Sequence, residues 1–161
     1  MTNNDRFIRL RYALDLKDEE MIHIFGLGGM NVSREEVQGI LTKPKPDSLG
    51  NVEETVKHET VERFLNGLIT YKRGESQPKP GQPERPMITG EWINNVLLKK
   101  LKIALKLTGE EMLEVFDQAG VHVTKGELSA LLRKQGHKHY KECGDKFARS
   151  FLKGLTIKYR S

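Results

Sequence analysis

A single cysteine, Cys143, stands among 161 residues. It has no partner for an intrachain disulfide, so the chain is not a disulfide scaffold and suits a reducing compartment. Long apolar runs are missing too. Nothing approaches the roughly 18–20 residues that a membrane span needs. The opening MTNNDRFIRLRYAL carries charges every few residues and lacks the positive-then-apolar order of a secretory leader. No Gly-rich phosphate loop, no H-E-x-x-H and no paired-cysteine motif occurs. The expectation is a cytoplasmic protein without membrane contact, without a cofactor and without enzymatic activity.

Aromatic residues contribute only 7% and charged ones 30%, which is polar for a globular chain yet outside the range of disorder. The net charge of +5 is unevenly spread. Residues 1–80 hold 12 Lys/Arg against 13 Asp/Glu, a net of −1, whereas residues 81–161 hold 15 against 9, a net of +6. The basic excess therefore belongs to the second half, and it permits an acidic partner there.

That asymmetry lies on a duplication. Shifted by 91 positions, residues 3–43 align with residues 94–134, and direct comparison finds 15 of the 41 positions identical. Shifted by 87, VERFLNGLITYKR (61–73) lies over ARSFLKGLTIKYR (148–160). The change of offset falls between the two blocks, as a loop would allow. Each copy predicts four helices, and no segment alternates at period two for long enough to suggest a sheet. In the first helix Phe7, Leu10 and Leu14 match Leu98, Leu101 and Leu105 on one face. Asn3 and Asn4, like Asn94 and Asn95, are expected as caps. The second helix is expected over 18–27 and 109–118. Thr108 and Glu111 form a capping box there, while Lys17 makes a weaker start in copy one. Boxes recur before the third helix at Ser33/Glu36 and Thr124/Glu127. Gly67 and Gly154 lie inside the fourth helix, where glycine costs about 1 kcal/mol relative to alanine. A glycine repeated at that place predicts close approach of another helix.

The fold expected is therefore all-α, with a helical repeat at 1–73, a Pro-rich linker at 74–91 and a basic helical repeat at 92–161. Four of the six prolines, Pro78, Pro80, Pro83 and Pro86, sit in that linker and exclude a helix interior. Whether the copies share one core or stand apart on the linker is left open by the sequence.

The paired openings NND…RLRYAL and NN…KKLKIAL, the ending FLNGLITYKRG of copy one and HKHYKECGDKFARSFLKGL of copy two resemble the YehS-like family. This is a group of bacterial proteins with a duplicated domain of unknown function. The resemblance implies two tandem copies in a small bacterial cytoplasmic protein, and it brings neither an activity nor catalytic residues. The family pattern also has an aromatic-x-x-Cys-x-Asp lead into the last helix of copy one. Here copy one reads VEETVKHET, so that feature is confined to copy two.

Chemistry-bearing residues concentrate in 133-RKQGHKHYKECGDKF-147. Cys143 aligns with Val56, which favours a buried small hydrophobe over a nucleophile served by His139. His137, His139, Cys143 and Asp145 have ligand chemistry, but H-x-H-x₃-C matches no closed zinc pattern. Asp145 is expected to cap the last helix. Arg133, Lys134, His137, Lys138, His139, Tyr140 and Lys141, continued by Arg149 and Lys153, form the candidate polyanion surface. Its cations would meet phosphates, and Tyr140 is available to stack on a base. A solvated charged face is the bland alternative. Residues 109–135 suggest a helix-turn-helix, but the connection is long and the second helix is poor in base-reading side chains. Arg9 and Lys100 are basic in both copies and are expected to point away from the apolar face of the first helix. Binding to nucleic-acid backbone through copy two, or service as a protein–protein adaptor or oligomerisation module, are the two readings carried forward. A His/Cys metal protein or thiol enzyme ranks below both.

Overall fold

The computed structural model describes residues 1–74 and 87–160. Most of the Pro-rich linker, residues 75–86, thus lies outside the described residues. The elements are α1 (Asn3–Leu14), α2 (Asp18–Leu27), α3 (Arg34–Ile40), α4 (His58–Arg73), α5 (Ile93–Ala104), α6 (Gly109–Gln118), α7 (Lys125–Leu132) and α8 (Asp145–Arg160). No strand occurs among the described residues. None of these helices is long and apolar enough to cross a membrane.

Local chemistry sets the helix starts. The hydroxyls of Ser33, Thr108 and Thr124 accept from the backbone N–H three residues on, and Glu36, Glu111 and Glu127 reach back. Lys17 offers no side-chain cap, but Glu20 still accepts its N–H at 3.1 Å. Thr2, not an asparagine, caps α1, and Trp92 precedes α5 without a side-chain cap. The asparagine pairs are buried inside the first turn, where their amides have another task, described below.

The two copies share one hydrophobic cluster. Helices α1, α4, α5 and α8 form a closed ring of neighbours, with α2–α3 laid on α4 and α6–α7 on α8. The most extensive seam, α4 on α5, joins different copies, and α1 packs on α8 across the copies as extensively as α2 packs on α4 within one. Exchanging the copies turns one seam into the other, so the molecule has an approximate internal two-fold. Both seams are parallel. Asp145, at the start of α8, meets the Met1 amine just before α1, and Arg160 near its end meets Tyr12 and Asp15 at the end of α1.

The repeated glycines explain how the outer helices reach the ring. A Cβ on Gly67 would stand 2.0 Å from the Ile24 carbonyl oxygen, and one on Gly154 would stand 1.9 Å from that of Val115. Ile24 and Val115 are equivalent at the offset of 91. Around these contacts Phe64 stacks with Phe7 and Phe25, and Phe151 with Phe116.

Candidate functional site

Each asparagine pair ties its own repeat together. Asn3 donates to the Val56 carbonyl (2.7 Å), and Asn94 to the Cys143 carbonyl (3.1 Å). Asn4 donates to Ile40 (2.9 Å) and Asn95 to Leu131 (3.0 Å), each at the end of its third helix. Asn95 also accepts from the Cys143 N–H at 2.9 Å. The buried amides thus supply partners to loop carbonyls and to helix-end carbonyls that no further helical turn would reach.

Cys143 is fully buried, and burial pushes its thiol up to about 12. It is a core residue. Among the described residues no group of three metal-ligating side chains stands close enough to hold an ion. Asp145 opens α8, and its carboxylate is committed to the other copy and to α5. It accepts from the Met1 amine (2.9 Å), Asn94 (2.9 Å) and Arg6 (3.3 Å). Arg6, itself buried, also donates to the side-chain amide oxygens of Asn94 and Asn3. Burial alone would raise the Asp145 carboxyl, but these donors and positive charges hold it below the usual carboxylate range.

The basic residues fall into two groups. Arg133, Lys134, His137, Lys138, His139, Tyr140 and Lys141 lie in the connection between α7 and α8. Arg133 and Tyr140 are half-buried and the rest exposed. Lys141 is spoken for: it reaches Glu127 at 3.4 Å and sits 5.3 Å from the centre of the Phe147 ring. The His137 and His139 rings lie 5.7 Å apart in solvent. Arg149 and Lys153, one helical turn apart on exposed positions of α8, belong elsewhere. Lys153 lines a shallow cavity in the α1·α8 seam with Ile8, Arg9, Tyr12 and Thr156.

The two seams can be compared position by position. At α4·α5, Glu62 and Lys100 form a buried ion pair at 3.1 Å, with side chains 2% and 9% exposed. Lys100 also bonds Asn66 and the Met87 carbonyl, so the side of α5 away from its apolar face is itself buried, against α4. The parallel packing of α4 carries the polar side of α5 inward. Burial would raise the Glu62 carboxyl, yet the Thr89 N–H, Lys100, the Thr89 hydroxyl and the Gly90 N–H bring it below its ordinary range. At α1·α8 the equivalents of Lys100, Glu62 and Asn66 are Arg9, Arg149 and Lys153. An acid and an amide have become cations. None of the three forms an ion pair among the described residues. Asp5, one turn before Arg9, is held by Thr2 and by Lys43 at 3.6 Å. Beyond the cations, Arg160 covers the Tyr12 ring at 4.2 Å and bonds Asp15 at 3.0 Å.

Comparison with known proteins adds lineage. Residues 3–74 and 94–161 both match the family described as "Protein of unknown function (DUF1456)". The chain belongs to this family. It is also 33% identical over 159 residues to a protein of Escherichia coli (strain K12) described as "Uncharacterized protein YehS", across 98% of this chain and 96% of that one. No solved structure matches. The two DUF1456 segments coincide with the duplicated helical units, as the resemblance implied.

In this DUF1456 member, Arg9 is the cation that the sequence reading left outside its candidate surface. The signal for it was the basic residue shared with Lys100. Its meaning appears only when the offset of 91 for α1 and α5 is combined with the offset of 87 for α4 and α8.

Proposed function

We propose that the protein is a non-enzymatic binding module that holds a nucleic-acid backbone along the α1·α8 seam. One observation carries this reading: the seam's two-fold counterpart buries a neutralised Glu62–Lys100 pair, while in this seam Arg9, Arg149 and Lys153 form no ion pair among the described residues, Arg9 having only the field of Asp5 one turn away. A fold that needed only to join two helices already has a neutral solution at the other seam. Phosphates would supply the missing negative charge and release counterions. Tyr12, 58% exposed beside Arg9 and Lys153, offers an aromatic face on which a base can stack. Nothing in the seam reads base edges, so the binding is expected to be indifferent to sequence.

Fluorescence anisotropy with labelled mixed-sequence DNA and RNA oligonucleotides at low salt tests this. The variant Arg9→Glu/Arg149→Glu/Lys153→Glu is expected to lose affinity by on the order of a hundredfold, since each lost phosphate contact removes a charge-assisted bond. The loop variant Arg133→Glu/Lys134→Glu/Lys138→Glu is expected to lose less. Native protein that binds neither nucleic acid, or a seam variant that binds as tightly as native, overturns the reading.

A further inference from the structure

Where the start of α4 meets the start of α5, the structure leaves a cleft of about 490 Å³, within the range of small-molecule sites. The loop between α7 and α8 closes its far side. Glu59, Glu62, Glu91 and Glu142 line it, and no lysine or arginine does among the described residues. In a chain of net charge +5 this is a local reversal of sign. Two of the carboxylates are already neutralised, Glu62 by Lys100 and Glu91 by Lys99 at 3.2 Å. Glu142 forms no ion pair among the described residues, and Glu59 meets only Arg63 in an exposed pair within α4 at 3.3 Å. Two carboxylates thus remain for a ligand.

The rest of the wall is aromatic and apolar. Trp92 is fixed in place: its ring N–H donates to the Cys143 carbonyl at 2.8 Å, its backbone N–H to Gln135 at 3.0 Å, and the His58 ring meets it edge-on at 5.6 Å. Tyr140 also lines the cleft, and its hydroxyl oxygen is buried with no hydrogen-bond partner among the described residues. Buried tyrosine hydroxyls ordinarily find one. Ile88 and Ile93 complete an apolar stretch between the carboxylates.

We propose that this cleft binds a linear aliphatic diamine. Its two ammonium ends would meet Glu59 and Glu142, and the methylene chain would lie against Trp92 and the isoleucines. A bound anion is disfavoured by Glu59 and Glu142, which no lysine of the cleft neutralises among the described residues. A bare metal ion would lack the converging ligands it needs, because no group of three stands together among the described residues. Desolvated cations over a tryptophan face gain further from the ring quadrupole. This inference rests on no part of the nucleic-acid reading, since the cleft has the opposite charge and lies at the other seam.

Trp92 is the only tryptophan, so its fluorescence reports on this cleft directly. Full-length protein is titrated with putrescine and cadaverine at constant ionic strength, with n-butylamine, n-butanol and magnesium chloride as comparison solutes. Saturable change is expected with the diamines, weaker change with the monoamine and none with butanol or magnesium. The variant Glu59→Gln/Glu142→Gln is expected to weaken diamine binding at least about tenfold, the scale of lost charge-assisted hydrogen bonds. An unchanged thermal midpoint would show that the variant folds. No saturable response in native protein, an equal response to magnesium, or undiminished affinity in the double variant overturns the proposal.

Discussion

At the scale of single residues, burial decides chemistry. Cys143 has histidines, lysines and an aspartate near it in the sequence, the company of a reactive thiol. In the fold its backbone is clamped by Asn95 and its sulfur sits in the core, with the thiol pushed up to about 12. Native protein at pH 8 is therefore expected to react with a disulfide reagent on the order of a thousandfold more slowly than free cysteine, with full reactivity on unfolding. Labelling near the free rate would contradict this. The alignment of Cys143 with Val56 made its role legible. The roles of Asn3, Asn4, Asn94 and Asn95 were not legible, because a helix-start asparagine reads as a cap until the loops it reaches are known. The burial of Lys100 was not legible for a related reason: its partner Glu62 lies in the other copy.

That pair yields a prediction with a pH sign. Removing one member, by Lys100→Met or Glu62→Met, leaves a buried charge unpaired and is expected to cost about 3–5 kcal/mol in denaturant unfolding. The double replacement is expected to be close to neutral. Because the folded Glu62 carboxyl lies below its unfolded value, its contribution is full above the unfolded carboxylate range, about pH 4–5, and is lost as pH falls through the lower folded value. Below about pH 4.5 the native protein should thus lose stability more steeply than the double variant. Parallel pH profiles would show that Glu62 is not the linked group.

At the scale of elements, local signals carried most of the fold. The S/T-x-x-E boxes placed α3, α6 and α7 because a side-chain cap is decided within four residues. The repeated glycines announced a close approach, and the structure identifies what approaches: the backbone carbonyls of Ile24 and Val115. Gly67→Ala and Gly154→Ala are each expected to destabilise by about 1–3 kcal/mol, the cost of overpacking against backbone that cannot swing aside. Gly126→Ala, on an open face of α7, should stabilise or leave unfolding unchanged. Equal effects at Gly154 and Gly126 in thermal melts would contradict the packing described. What local signals could not supply was the pairing of elements, since nothing within α1 says that it will lie along α8.

The whole molecule is a duplicated unit whose halves complete each other, and its function reading depends on where that symmetry fails. The excess charge of the second half was visible in composition, but its position was not. Six of the eight charged or histidine side chains of the expected surface come from the 133–141 loop, yet Lys141 is neutralised by Glu127, while Arg149 and Lys153 are joined by a cation from the first half. The seam is a property of the assembled ring, and no single stretch of sequence contains it.

The central claim is that Arg9, Arg149 and Lys153 act together on phosphates. The most direct test is the salt dependence of oligonucleotide binding, measured for native protein and for Arg9→Gln/Arg149→Gln/Lys153→Gln. Removing three phosphate contacts should flatten the slope of log affinity against log salt by about 2–3, as counterion release requires. An unchanged slope in the variant would contradict the claim and return the seam to ordinary solvated surface.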